Sequence, residues 1–345
     1  MSKIIYEIMH RENCVAQIST VGECKIYLED FMPYDLMLEE SNDFDKRIKN
    51  AMSFYSWCAS RMIPPDRTYA KEILNSIGAS QSVTDRERAQ IALSYHCLSL
   101  LDVFWVKEEN EKIRFEDINL FAHSLSNALV DIALRGHQMT VTNAHLLAND
   151  LSTGGLYPKA WVRKEDGFYL YKDGGRDAVE REVLASKICR CFDCHQVLYE
   201  QGMFENEPVS ISKIMTSQRY SLVTYAAYDV YCTNCDWNTL DKILELDAPG
   251  YYMMNILDYL VGNTDRHWEN WGLLVDNETN QPIRLHDLMD FNRAFQQYDT
   301  PEGANCLTVG KRHLSQKDAA VEAVRNIGLN QVRQVEHTVF SGHPA

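Results

Sequence analysis

Two short apolar runs open the chain, Cys14-Val15-Ala16-Gln17-Ile18 and Cys24-Lys25-Ile26-Tyr27-Leu28, and the turn around Gly22 between them predicts a pair of strands. Helical spacing takes over at residues 44–62 and stops at Pro64-Pro65. It resumes after Thr84-Asp85-Arg86-Glu87, which has capping-box spacing ahead of Ile91, Leu93, Cys97, Leu98 and Leu101. Residues 103–120, where Phe104-Trp105-Val106 precede mixed charge, read as a surface connection with aromatic anchors.

The texture changes near residue 150. A turn-rich loop, Leu151-Ser152-Thr153-Gly154-Gly155-Leu156-Tyr157-Pro158-Lys159, leads into a strand at 160–163, a turn at Asp166-Gly167 and a second strand at 168–172. After Gly174-Gly175, residues 178–191 carry helical spacing at Val179, Val183, Leu184, Ser186 and Ile188, and further strands follow to about Val223. From Leu240 the pattern is helical, and Met253, Ile256, Leu257 and Leu260 form an i, i+3, i+4, i+7 stripe that ends at Gly262. Later helical patterns occupy 317–327 and 331–339. The sequence contains no internal repeat and no low-complexity segment. This order predicts an α+β chain in three parts: a mixed, mainly helical module (1–145), a small lobe of loop, hairpin, helix and strands (146–239) and a helical catalytic lobe (240–345). Together the last two read as a two-lobed, protein-kinase-like fold.

A formal charge of −15 over 345 residues argues against direct nucleic-acid binding through a broad basic surface. No run reaches the roughly 18 apolar residues that span a bilayer, and the start turns acidic at Glu7, unlike a signal peptide. A cytoplasmic protein whose ten cysteines are reduced thiols is expected.

The chemistry concentrates in Gly262-Asn263-Thr264-Asp265-Arg266-His267-Trp268-Glu269-Asn270-Trp271-Gly272 and in Asp290-Phe291-Asn292. An Asp, an Asn five residues on and a later Asp before Phe is a pattern with which phosphoryl-transfer enzymes hold a hydroxyl nucleophile and Mg²⁺ together. Asp265 would accept the hydroxyl proton, and Asn270 and Asp290 would give oxygens to the metal, with Asp287 a competitor for the last role. Arg266 and His267 lie between them and read as braces of the catalytic loop. Lys172 would reach the phosphates of ATP and pair with Glu182, Glu180 being the alternative. Ser152, Thr153, Gly154, Gly155 and Lys159 would form a phosphate loop. Ile214, Met215 and Thr216 stand where an adenine hinge belongs.

These segments resemble the HipA-like serine/threonine kinases, bacterial kinases best known as toxin halves of toxin–antitoxin pairs. The resemblance covers roughly residues 95–300 and is carried by 152–159, 262–272 and 285–295. It implies Asp265 as base, Asn270 and Asp290 as Mg²⁺ ligands and Lys172 as the ATP lysine. It also implies a protein substrate and an antitoxin-type partner. Ser152 matches a serine that some members autophosphorylate, which ejects the loop and switches the kinase off. Asp287 stands where the family often has Pro. Two rival readings remain: a small-molecule or lipid-headgroup kinase, and a non-catalytic nucleotide-binding regulatory module. A separate constellation, Cys191-x-x-Cys194-His195 with Cys232-x-x-Cys235, has zinc-site spacing. The aromatic series Tyr220, Tyr225, Tyr228, Tyr231 and Trp237 reads as packing between lobes.

Overall fold

The apolar runs near the N-terminus fold as an antiparallel sheet. In the computed structural model, which describes residues 3–62, 84–122, 158–295 and 300–329, strands β1 (Ile5–His10), β2 (Asn13–Ser19), β3 (Cys24–Ile26) and β4 (Phe104–Glu108) lie in the order β3-β2-β1-β4. The two expected strands are β2 and β3. The reading of 103–120 as a surface connection is corrected by β4, which pairs with β1 from Tyr6↔Glu108 to His10↔Phe104. Phe104, Trp105 and Val106 are all buried. Three successive apolar side chains cannot alternate between core and water, so the strand is covered on both faces. The indole of Trp105 donates to the Arg11 carbonyl at 2.6 Å.

Helix α1 (Phe44–Ser60) starts where Asp43 accepts a hydrogen bond from the Lys46 amide. Its buried Asn50 donates to the carbonyls of Gly22 and Glu39 and accepts from the Glu39 amide, tying the β2–β3 turn to the helix. That turn requires glycine: Gly22 has φ +80°, and a Cβ there would stand 1.8 Å from the Arg47 carbonyl oxygen. Helix α2 (Asp85–Ser94) has the full capping box expected at Thr84 and Glu87. The short helix α3 (Phe115–Ile118) follows β4, and strands β5 (Lys159–Lys164) and β6 (Gly167–Lys172) form the expected hairpin.

The chain divides into two compact units. The first comprises Met1–Lys172, Thr216–Ser221 and Asp276–Gln281; the second comprises Asp173–Met215, Leu222–Val275 and Pro282–Ala345. Within the first, the turn at 276–281 exposes Glu278, Thr279 and Gln281 but buries Asn277 and Asn280. Asn280 donates to the carbonyls of Asp30 and Met32, and its own carbonyl accepts from the Tyr34 hydroxyl at 2.7 Å.

His10 in this unit lies edge-on to Phe31 and Phe104, and its Nε2 is buried without a hydrogen-bond partner. Burial, with nearby Arg11 adding to it, pushes its pKa down to about 4. Because the folded value lies below the unfolded one, the unfolded chain binds more protons in between. Stability is therefore full above about pH 6.5 and falls as the pH drops toward 4, by roughly 3 kcal/mol at the limit. Urea unfolding of His10→Phe at both pH values checks this, since the variant should lose that part of the acid sensitivity.

The second unit contains α4 (Arg176–Cys189), the hairpin β7 (Tyr199–Phe204) and β8 (Glu207–Lys213), α5 (Tyr225–Asn234), α6 (Thr239–Leu260) and α7 (Gln316–Ile327). A three-stranded sheet, β9 (Tyr220–Thr224), β10 (Gly272–Asp276) and β11 (Gln281–Leu285), has the order β11-β10-β9. Strand β10 and the approach to Asp290 thus come directly after the 262–271 loop sequence. The expected helix at 317–327 is α7, whereas 331–339 lies outside the described residues. Among the described residues no helix is long and apolar enough to cross a membrane.

Candidate active site

Helix α6 aims the site. Asp247 breaks it with φ −154° and ψ 65°, and the Asp247 carboxylate then caps the second half by accepting from the Gly250 amide at 2.9 Å. Pro249 is tolerated because it falls in the first turn of that restarted helix, where no intrahelical N–H is needed. The second oxygen of Asp247 accepts from the Leu285 amide at 2.9 Å, which fixes the end of β11 that leads to Asp290.

The helix ends in a Schellman motif, as the stripe running into Gly262 anticipates. Gly262 has φ +62° and donates to the Tyr259 carbonyl, and the Asn263 amide donates to the Asp258 carbonyl at 2.8 Å. Asn263 is fully buried, and its side chain donates to Asp258 Oδ1 and accepts from the Asp265 amide. From α7, the Gln316 side chain donates to the Asn263 carbonyl at 2.6 Å.

Arg266 assembles the loop beyond this helix end. It is buried, and its Nε and Nη2 donate to the two oxygens of Asp258 at 2.8 and 2.9 Å. Its Nη1 donates to the Asn270 carbonyl at 2.8 Å and also to the Met289 carbonyl. Its guanidinium lies 5.1 Å from the centre of the buried Phe291 ring. One side chain therefore holds the helix end, the 263–270 loop and the segment around Asp290. Burial alone would lower the Arg266 pKa, but Asp258, with Asp290 contributing, outweighs it and keeps the group above its ordinary value. The partner Asp258 carries no signal in the sequence beyond a charge among the apolar residues of α6, and sequence reasoning missed it.

Within the loop, the Asp265 carbonyl accepts from the His267 amide and from the Asn270 side-chain amide, each at 2.8 Å. This bond orients Asn270, whose Oδ1 accepts no hydrogen bond among the described residues. The Asp265 carboxylate is partly exposed and lies 3.7 Å from Arg293 Nε. His267 is exposed, and its Nδ1 accepts from the Glu269 amide.

Asp290 occupies the left-handed region, φ +59°, and its amide donates to the Tyr199 hydroxyl at 3.1 Å. An L-residue held there carries strain of about 1–3 kcal/mol, a cost found at functional positions. Its competitor Asp287 is ion-paired with Arg284 at 2.7 Å. Asp290→Gly is expected to leave stability unchanged or raise it by up to about 1 kcal/mol while abolishing metal-dependent nucleotide binding. Urea unfolding beside Mn²⁺ titration separates the two effects; a large loss of stability would make the carboxylate a structural group.

Glu182 is 1% exposed and accepts from the Ser210 hydroxyl, whereas Glu180 is exposed, so the helix turns Glu182 inward. Lys172 is buried and belongs to the first unit, where it stands opposite Lys159 in the β5–β6 ladder. Directly opposed residues project from one face, so both lysine side chains leave the hairpin on the same side. Ser152, Thr153, Gly154 and Gly155 lie outside the described residues. The division between the two units falls between Met215 and Thr216, and Thr216 donates to the Leu100 carbonyl.

The zinc alternative is not assembled: among the described residues no three His, Cys, Asp or Glu side chains converge on a point where a metal could sit. Cys191 and Cys194 donate to the carbonyls of Lys187 and Cys189. Tyr225 stacks on Trp271 with centroids 4.4 Å apart, and Tyr231 packs against Tyr228 and Trp237; Tyr225, Tyr228 and Trp271 are buried, whereas Trp237 is exposed.

No family model matches the sequence, and no curated protein matches it. Among solved structures, the chain resembles HipA in the complex of the Shewanella oneidensis MR-1 toxin–antitoxin proteins HipA and HipB with operator DNA. That likeness has a TM-score of 0.53 at 12% identity and covers 94% of this chain and 85% of that one. The Helicobacter pylori proinflammatory kinase CtkA is matched with a TM-score of 0.36 at 18% identity, over 41% of this chain and 57% of that one. The chain thus spans somewhat over half the length of CtkA. Similarity to HipA over most of both chains makes the fold α+β and kinase-like.

Proposed function

We propose that this protein is a HipA-like, ATP- and Mg²⁺-dependent kinase that transfers phosphate to a Ser or Thr hydroxyl of a protein. The observation that carries the reading is the arrangement around Arg266, which ties the loop bearing Asp265 and Asn270 to the segment bearing Asp290. Oxygen donors suit Mg²⁺, and the fit rests on the chain's own atoms: an Asn270 Oδ1 accepting no hydrogen bond among the described residues and a carboxylate on a strained turn. When bound, Mg·ATP supplies the phosphoryl group with part of its charge neutralised. Asp265 takes the proton of the acceptor hydroxyl at its partly exposed carboxylate, while its backbone is tethered by Asn263 and Asn270. Asn270 and Asp290 offer oxygens to the metal. Lys172 and Lys159, projecting from one face of their hairpin, provide ammonium groups for phosphate oxygens, and Glu182 is the proposed partner that orients Lys172. His267 braces the loop. Met215 lies at the proposed adenine hinge, and the proposed phosphate loop comprises Ser152, Thr153, Gly154 and Gly155.

An antitoxin-type partner is part of the proposal, since the HipA neighbour was solved with HipB. The test is incubation with γ-labelled ATP and Mg²⁺, with Asp265→Ala as control, followed by phosphopeptide mapping. Label on Ser152 or on an added protein, in the wild type alone, supports the reading. Nucleotide binding without any protein label would move it to a small-molecule or lipid-headgroup acceptor, or to a non-catalytic binder.

A further inference from the structure

We propose that Asn292 supplies a third protein oxygen to the Mg²⁺ bound with ATP, beside Asp290 and Asn270; the proposal rests on the phosphoryl-transfer reading above. The Asn292 side chain is buried, 8% exposed, and its Oδ1 accepts no hydrogen bond. A buried amide oxygen left without a donor costs about 1–3 kcal/mol, so its retention points to a group that it meets in the working protein. In the same segment the only other buried side-chain oxygen lacking a hydrogen bond, among the described residues, belongs to Asp287, which is ion-paired with Arg284.

The residues flanking Asn292 in the chain contact both the loop bearing Asn270 and the Asp265 carboxylate. On one side, the Met289 carbonyl shares Arg266 Nη1 with the Asn270 carbonyl, which pins the two segments within two hydrogen bonds of a single atom. Phe291 lies fully buried beneath the same guanidinium. On the other side, Arg293 reaches to 3.7 Å from the Asp265 carboxylate. Asn292 is therefore bracketed by residues that touch both halves of the catalytic constellation. The left-handed turn at Asp290 precedes it by two positions.

The chemistry suits an amide. Mg²⁺ takes hard oxygen ligands, and a neutral one adds coordination without repelling the triphosphate. A carboxylate at 292 would place further negative charge near Asp265 and Asp290 and so oppose the nucleotide.

Mn²⁺ is the probe, titrated into the full chain with a non-hydrolysable ATP analogue and followed by loss of the free-Mn²⁺ resonance. Asn292→Ala is expected to weaken Mn²⁺ retention at least about tenfold. Asn292→Asp should bind Mn²⁺ at least as tightly as the wild type in the absence of nucleotide, and Asn292→Cys should lose Mn²⁺ but retain Cd²⁺. If Asn292→Ala binds Mn²⁺ as the wild type does while Asn270→Ala does not, the inference fails and the kinase reading stands. If the wild type retains no Mn²⁺ with the analogue, both fall. Should the alanine variant fail to fold, the cysteine variant decides: wild-type Mn²⁺ affinity there overturns the role of Asn292.

Discussion

Replacing Asp265 by alanine is expected to lower phosphoryl transfer about 10²–10⁴-fold while leaving Mg·ATP affinity nearly unchanged. The separation comes from how the residue is held. Its carbonyl serves the loop by accepting from His267 and Asn270, and its amide donates to Asn263. All three contacts belong to the backbone and survive the substitution. The substitution removes a carboxylate that, among the described residues, is tied only by a loose ion pair to half-exposed Arg293. The proposed metal oxygens on Asn270 and Asp290 stay in place. Single-turnover transfer from labelled ATP, set beside equilibrium binding of the nucleotide, distinguishes the two quantities. Parallel loss of both would mean that Asp265 helps bind nucleotide and is not the base.

The candidate loop was legible because its chemistry is local: an Asp, an Asn and a glycine helix stop stand within nine consecutive residues, 262–270. That Glu182 rather than Glu180 turns inward was legible for a similar reason, since residues two apart on a helix do not share a face. The Asp258–Arg266 pair was not. Hydrophobic periodicity treats a buried charge as noise, and only the fold shows that the charge faces a guanidinium eight positions later. Strand β4 was missed because three adjacent apolar residues carry no period at all. The turn at 277–280 buries two of its asparagines, which spend their amides on backbone carbonyls of the first unit, a pairing that turn propensity alone does not reveal. Cysteine spacing by itself decides little: Cys191-x-x-Cys194 straddles a helix end where the two thiols bond to different carbonyls.

Breaking the Asp258–Arg266 pair is expected to cost more stability than any change at the reacting residues, about 3–5 kcal/mol for either Asp258→Ala or Arg266→Ala. Both side chains are nearly inaccessible to water, so removing one strands an unpaired charge in the interior. Arg266→Lys should recover little of the loss. An ammonium cannot deliver two parallel N–H groups to Asp258 while a third nitrogen bridges the carbonyls of Asn270 and Met289. The paired replacement Asp258→Leu with Arg266→Met should cost much less than the sum of the two single changes, because neither charge is then left alone. It would still weaken metal-dependent nucleotide binding, since the two loop segments lose the one atom that both bond. Urea unfolding across this double-mutant cycle, with Mn²⁺ titration of the folded variants, measures stability and site assembly separately. If Arg266→Met alone unfolds within about 1 kcal/mol of the wild type, the pair is not the anchor of the loop, and the joining of Asn270 to Asp290 must come from the Asp247–Leu285 contact instead.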